Sequence, residues 1–182
     1  MIRKLVVLVL FAVPAWGQQA PTPQQLFSFG CDAVVVRQSG VSTPATDCYG
    51  PLALTPHLAM GPETLLAPGS NQQGYFGRVH YSFSFEKATA KTQLPKNSFQ
   101  GYVTASFGVV RNVPSTGPDT QHVGGMVGGG IMYDPTGSGK FIVKLFEARA
   151  GLLPGFVPNP VSAPGKTSNW GVAYSVGIKI TP

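Results

Sequence analysis

Between Tyr75 and Phe85 the sequence alternates between two chemistries with a period of two residues. One set is apolar or aromatic and consists of Tyr75, Gly77, Val79, Tyr81, Phe83 and Phe85. The intervening set includes Arg78, His80, Ser82 and Ser84, and it continues to Glu86. Successive side chains of an extended chain point to opposite faces. The stretch therefore predicts a β-strand with one apolar face and one polar face.

The same period returns along the chain. It is clearest at the C-terminal end, where Trp170, Val172, Tyr174, Val176, Ile178 and Ile180 share one face. Further strands are predicted over 26–37, 101–110, 123–133 and 140–152. Pro or Gly interrupts almost every candidate helix after the first 17 residues. The pattern predicts an all-β, antiparallel fold.

The stretch 39–70 is the weakest assignment, because five prolines interrupt it: Pro44, Pro51, Pro56, Pro62 and Pro68. It is either a Pro-rich loop or a set of short, irregular strands. Six strands are evident elsewhere, and closure of an antiparallel barrel favours an even number of strands from eight upward. We therefore expect two more strands here, which gives an up-and-down barrel of about eight strands.

The first 17 residues have the features of a signal peptide. Arg3 and Lys4 precede an apolar run that is too short to span a bilayer as a helix, and small residues follow it. We expect residues 1–17 to be removed and residues 18–182 to form a single barrel domain. In an oxidising compartment, Cys31 and Cys48 are candidates for a disulfide.

Composition separates a membrane barrel from a soluble sandwich, which also alternates. Charged residues make up 11% of the chain, against about 25% in ordinary soluble proteins. The strands match the length of a tilted membrane strand. Tyr75, Tyr133 and Trp170 lie near predicted strand ends, as expected of an aromatic girdle. The basic residues are scattered, which argues against a nucleic-acid partner.

The second half of the chain, from about Gly74, resembles the small bacterial outer-membrane β-barrels of the porin-like class. The resemblance rests on Gly128–Tyr133, on a strand that carries Glu147 and Arg149, and on Asn169–Gly171 before a closing strand that ends in SVGIKI. It implies a transmembrane β-barrel in the cell outer membrane. The expected partners are outer-membrane lipid and the barrel assembly machinery.

Five polar residues are predicted to face the barrel interior as a network: Arg78, His80, Glu86, Glu147 and Arg149. Such a network either tunes the passage of ions or forms a salt-bridged plug. Side chains just fill an eight-stranded barrel, so the plug is favoured. In the strand 140–152, Lys144 falls on the apolar side if Ile142 faces outward. A β-bulge or a snorkelling Lys144 would resolve this conflict.

Glycines dominate the inward face of the strand 123–133, at Gly124, Gly128 and Gly130. Glycine on the inner wall of a narrow barrel leaves room for large side chains from other strands, or permits a sharp bend. We expect one of these two uses here.

No motif predicts catalysis, a cofactor or a metal site. Asp134–Lys140 reads DPTGSGK, but a phosphate-binding loop needs Gly at the position of Asp134 and a hydroxyl residue at that of Phe141. His57, His80 and His122 are widely spaced. The sequence predicts a non-enzymatic barrel with a structural, adhesive or narrow-pore role. The alternative is a secreted soluble β-sandwich or barrel that binds a ligand or protein through its Pro-rich loops.

Overall fold

The computed structural model describes residues 27–55, 57–68, 71–84, 98–113, 118–156 and 169–182. The expected signal peptide and Glu86 lie outside these residues. The described part contains nine strands: β1 Phe29–Gln38, β2 Val41–Tyr49, β3 Leu52–Ala53, β4 Leu58–Ala67, β5 Gln72–Ser84, β6 Ser98–Asn112, β7 Thr120–Asp134, β8 Phe141–Leu152 and β9 Trp170–Ile180. Within the same residues, no helix is long and apolar enough to cross a membrane.

The strands form a closed antiparallel barrel. From β4 to β9 each strand pairs with the next along the chain, β9 pairs with β1, β1 pairs with β2, and β2 pairs with β4. The short β3 continues the path of β2 along β4. The wall therefore consists of eight strands, and the predicted all-β barrel is confirmed. Among the described strands, closure gives each of the eight wall strands a hydrogen-bonded neighbour on both sides.

The Pro-rich stretch 39–70 supplies β2, β3 and β4 rather than one long loop. Ser39 and Gly40 have positive φ angles of 52° and 83°, which allow the two-residue turn between β1 and β2. Gly50 and Pro51 separate β2 from β3, and Gly50 N donates a hydrogen bond to Pro62 O at 3.0 Å. The proline-containing strands are thus interrupted, yet remain paired.

The alternation gives the barrel an apolar outer face. Tyr75 and Val79 of β5 are exposed, whereas Phe76 and Arg78 between them are buried. Among the strand residues that the structure describes, the charged side chains on the outer face are Arg37 and Arg111. Each lies one residue from the end of its strand. A large exposed apolar surface of this kind is unfavourable in water.

The interior changes in character along the barrel axis. We call the end where β1 begins and β9 finishes the terminal end, and the opposite end the distal end; Phe29 pairs with Ile180 at the terminal end. Apolar side chains, among them Val36, Leu65 and Phe156, pack toward the distal end and form the main buried cluster. Charged and polar side chains occupy the middle.

A β-bulge in β8 corrects one expectation about facing. The pairing of β8 with β9 shifts between Lys144 and Glu147, and Leu145 and Phe146 are both exposed. The extra residue in the bulge exchanges the inward and outward side chains of the part of β8 that precedes it. Ile142, expected to face outward, is therefore buried at 6% exposure, and Lys144 is buried at 3%. The sequence allowed either a β-bulge or a snorkelling Lys144, and the structure contains the bulge.

Candidate functional site

Seven charged side chains meet in the middle of the barrel, and none is more than 4% exposed. We call them the ionic network. Its members are Asp32 on β1, Asp47 on β2, Glu63 on β4, Arg78 on β5, and Lys144, Glu147 and Arg149 on β8. A buried charge is costly unless it is paired and hydrogen-bonded. The contacts within the network therefore decide whether it supports the fold.

Arg78 connects three strands across the interior. Its Nη2 lies 2.5 Å from Glu147 Oε2, and its Nη1 lies 3.3 Å from Asp47 Oδ2. Its Nε donates to Thr104 Oγ1 at 2.9 Å. A guanidinium group presents five donors in a fixed plane and can serve several acceptors at once. Arg78 uses this geometry to join β5 to β2, β6 and β8.

Arg149 makes a second bridge over the same acids. Its Nη2 donates to Asp47 Oδ2 at 2.6 Å, and its Nη1 donates to Glu63 Oε1. Its Nε lies 2.9 Å from Glu147 Oε1. Asp47 is thus shared by two arginines, Arg78 on β5 and Arg149 on β8. Each arginine therefore contacts more than one buried carboxylate.

Lys144 serves the remaining acid. Its Nζ donates to Asp32 Oδ2, and it lies 3.3 Å from Glu147 Oε2. The ammonium also lies 4.6 Å from the centre of the Tyr49 ring. Tyr102 donates its hydroxyl to Glu147 Oε2 at 2.7 Å. The ring of Tyr49 thus contacts the Lys144 ammonium, and the hydroxyl of Tyr102 donates a hydrogen bond to the Glu147 carboxylate.

Four acids and three bases make the network nearly neutral. Every carboxylate contacts at least one cation, and Glu147 contacts all three. Asp47 Oδ1 and Glu63 Oε2 have no hydrogen-bond partner among the described residues. The network thus joins five of the eight wall strands through side chains in the barrel interior.

Glycines of β7 leave the space that the network occupies. A Cβ atom at Gly128 would first meet the backbone oxygen of Ala148 and would also lie 2.8 Å from Arg149 Cγ. One at Gly130 would first meet the backbone oxygen of Phe146 and would also lie 2.7 Å from the Tyr102 hydroxyl oxygen. Real Cβ atoms do not approach so closely, so both positions require glycine. The inward glycines therefore allow the backbone of β8 to approach closely, and they also leave room for the side chains of Arg149 and Tyr102. Room for large side chains is one of the two uses expected from the sequence.

Three carboxylates of the network lie close enough together to resemble a metal site, but their neighbours are positively charged side chains. Asp32, Asp47 and Glu147 each offer an oxygen within 4.8 Å of the other two. Each of these carboxylates already contacts Lys144, Arg78 or Arg149. A cation added here would meet positive charge at close range. Lysine and arginine side chains thus occupy the positions beside these carboxylates that a metal ion would need.

The histidines do not form a catalytic set with the residues around them. His80 stacks on Tyr102 with ring centres 4.6 Å apart. His57 Nδ1 lies 3.1 Å from the backbone oxygen of Ser82. Asp119 pairs with Arg111, whose Nε lies 3.0 Å from its Oδ2. In the described ranges we find no His paired with a nucleophile or orienting carboxylate, the arrangement that acyl transfer requires.

Of the five residues predicted to form an inward network, the structure brings three together. Arg78, Glu147 and Arg149 are members of the ionic network. His80 lies beside it, against Tyr102. Glu86 lies outside the described residues.

Sequence reasoning missed Asp32, Asp47, Glu63 and Lys144. A signal for two of them was present in the cysteines. Cys31 and Cys48 are joined by a disulfide and sit directly opposite each other, which places Asp32 opposite Asp47 on the inner face. Lys144 required knowledge of the bulge, which the sequence pattern did not locate.

The three candidate girdle aromatics lie near the two ends of the barrel. Tyr75 and Trp170 are 48% and 62% exposed on the outer face toward the distal end. Tyr133 lies toward the terminal end, with its ring centre 5.0 Å from that of Phe99. Their positions match the two interfaces of a membrane-spanning band.

Comparison with known proteins identifies the fold. No protein-family model matches the chain. No curated protein matches it either. Among solved structures, Neisserial surface protein A (NspA) is similar with a TM-score of 0.53 at 16% identity, over 86% of this chain and 97% of that one.

Two other solved structures are more distant. The N-terminal β-barrel domain of Pseudomonas aeruginosa OprF matches with a TM-score of 0.47 at 14% identity, over 84% of this chain and 97% of that one. Ail of Yersinia pestis, the attachment invasion locus protein, matches with a TM-score of 0.37 at 12% identity, over 85% of this chain and 95% of that one. The sequence resemblance to small outer-membrane barrels is confirmed as a likeness of fold.

Proposed function

We propose that this chain is a bacterial outer-membrane β-barrel with a closed interior and a structural or adhesive role. It spans the membrane with eight strands, after insertion by the barrel assembly machinery, and contacts lipid with its outer face. It is not an enzyme. The observation that carries the proposal is the inversion of polarity, in which apolar side chains cover the outside and an ionic network fills the inside.

The outer face supports the membrane location. The most exposed large apolar side chains are Phe107 at 70%, Val123 and Val127 at 64%, and Trp170 at 62%. They belong to strands of 11 to 15 residues, and about 9–11 residues suffice for a tilted strand to cross a bilayer. Contact with hydrocarbon removes this apolar surface from water.

The closed interior argues against a general pore. Arg78 and Arg149 contact acids on β2, β4 and β8, and the apolar cluster with Leu65 and Phe156 lies beyond them toward the distal end. An ion would have to break several buried ion pairs to pass. Function is therefore expected at the surfaces of the barrel rather than through its interior.

The secreted soluble alternative meets two difficulties. It would leave the outer apolar face in water, and it would bury seven charges where a soluble barrel of this size would bury apolar side chains. The disulfide Cys31–Cys48 fits export in either case.

Folding into lipid vesicles tests the membrane proposal. The mature chain should insert into phospholipid vesicles, float with them in a density gradient, and run as a compact band on detergent gels unless it is heated. The control is the same chain mixed with buffer alone. A monomeric chain that stays soluble without lipid or detergent would refute the proposal.

Conductance in planar bilayers tests closure separately. The inserted chain should remain silent under conditions in which a general porin conducts. Steady open channels, with insertion verified on the same sample, would instead favour the narrow-pore role.

A further inference from the structure

The wall of the barrel is least continuous between β2 and β4. Residues 46–49 of β2 pair with residues 63–66 of β4, and the short β3 adds two positions, Leu52–Ala53 against residues 59–60. Every other pair of neighbouring wall strands in the described part of the chain is paired over nine residues or more. We call the contact of β2 and β3 with β4 the seam. Fewer paired residues mean fewer backbone hydrogen bonds, so the seam is the weakest backbone ladder of the wall.

Prolines remove hydrogen-bond donors from the seam. Gly50 N donates to Pro62 O at 3.0 Å, but Pro62 has no N–H with which to return the bond. In an antiparallel ladder, bonded positions recur at every second residue. The register continued past Thr46 brings Pro44 opposite Pro68 at such a position. Neither of these two prolines can donate, so the ladder ends there.

The ionic network crosses the seam. Asp47 on β2 and Glu63 on β4 lie on its two sides. Arg149 Nη2 donates to Asp47 Oδ2 at 2.6 Å, and Arg149 Nη1 donates to Glu63 Oε1. Arg78 contacts the same two acids less closely, at 3.3 Å and 3.9 Å. The guanidinium of Arg149 therefore joins two strands whose backbones pair only briefly.

We propose that the seam is a lateral opening of the barrel wall and that Arg149 is the latch that closes it. Local opening occurs where the fewest backbone hydrogen bonds oppose it. At the seam, β2 and β4 separate while the other wall strands stay paired, and the barrel interior is then exposed to the surrounding lipid. Arg149 opposes this separation, because breaking its ion pairs leaves buried charges without partners. The structural or adhesive role proposed above does not require such an opening.

Hydrogen exchange of single amides, measured by nuclear magnetic resonance on the mature chain in detergent micelles, tests the opening. The N–H groups of Thr46 and Cys48 point across the seam, as that of Gly50 does. Those of Ala45 and Asp47 point to β1, because alternate residues of a strand face alternate neighbours. The second set is a matched control on the same strand. Relative to their intrinsic rates, the seam amides should exchange about tenfold faster, since donors are missing on both sides of them.

Two variants separate the latch from the rest of the network. Arg149→Met should speed exchange of the seam amides by about a hundredfold, because it deprives buried acids on both sides of the seam of a partner. The β1-facing amides should change much less. Lys144→Met removes a cation whose acids, Asp32 and Glu147, lie on β1 and β8. It should leave the ratio of the two exchange rates unchanged.

A third variant tests the seam with the latch intact, and it decides the matter if Arg149→Met does not fold. Pro44→Thr/Pro68→Thr supplies the missing N–H groups at two exposed positions, and should slow exchange of the seam amides by about tenfold. Equal protection of the seam amides and the β1-facing amides in the parent would overturn the proposal. It is equally overturned if Arg149→Met and Lys144→Met change the ratio of the two rates to the same extent, or if the double proline variant exchanges at the seam as fast as the parent.

Discussion

Asp32 and Asp47 face each other across the β1–β2 hairpin inside the barrel, one residue from the Cys31–Cys48 disulfide that joins the same strands on the outer side. Two like charges at directly opposite positions destabilise a strand pair unless cations neutralise them. Lys144 contacts Asp32, and Arg149 contacts Asp47. The hairpin therefore depends on β8, from the other half of the chain.

Replacing Lys144 by Met should destabilise the barrel strongly. The change leaves Asp32 without its cation, and losing one partner of a buried pair costs about 3–5 kcal/mol. Urea titration of the vesicle-inserted chain, followed by gel mobility, measures the loss. Lys140→Met, at an exposed position, is the control and should change stability by less than about 0.5 kcal/mol. Adding Asp32→Asn to Lys144→Met should restore part of the stability. If Lys144→Met is as stable as the parent, the prediction is contradicted.

The glycines of the wall should differ in their tolerance of alanine. A Cβ at Gly130 would collide with the backbone oxygen of Phe146 and would lie 2.7 Å from the Tyr102 hydroxyl, whereas one at Gly77 would meet nothing nearer than 3.9 Å. Gly130→Ala should cost about 1–3 kcal/mol by overpacking. Gly77→Ala should be neutral or slightly stabilising, because glycine weakens a strand. The same urea titration compares them, and similar losses for both would show that the space at Gly130 is not restricted.

A charge on the outer face should reveal the depth of each position in a bilayer. Val127 lies at the centre of β7 and Gln121 near its start, and both are exposed. Lysine costs about 2–4 kcal/mol at the midplane of a membrane barrel and about 0–1 kcal/mol near the interface. Val127→Lys should therefore reduce folding into vesicles far more than Gln121→Lys. Equal tolerance of both would indicate that this face contacts water.

Removing the disulfide should lower stability without changing the fold. Cys31 and Cys48 are separated by 17 residues, and a closed loop of about that length contributes about 3 kcal/mol in the chain-entropy model. The test uses the double variant Cys31→Ala/Cys48→Ala, because an apolar alanine side chain suits the outer face better than serine. Unfolding of the double variant is compared with that of the parent under oxidising and reducing conditions. If the parent loses no stability on reduction, the hairpin is restrained by other contacts.

The facing of side chains was largely predictable, because it is a local property of an extended chain. The alternation in β5 correctly assigned Tyr75 and Val79 to the outside and Arg78 to the inside. The prediction for Ile142 was wrong, since a bulge between Lys144 and Glu147 shifts the register. A bulge is set by the pairing of two strands, and the sequence of one strand does not specify it.

The ion-pair partners of the inward-facing charges are determined by the tertiary structure rather than by local sequence. The two-residue period, the low charge and the apolar outer positions follow from the order of residues alone, and they were enough to predict a barrel. The meeting of Arg149 with Glu63, 86 positions apart, is not encoded in either strand. It depends on closure of the barrel between β2 and β4 and on the register of the strands from β4 to β8. Only a closed wall of fixed circumference determines which side chains face each other across its interior.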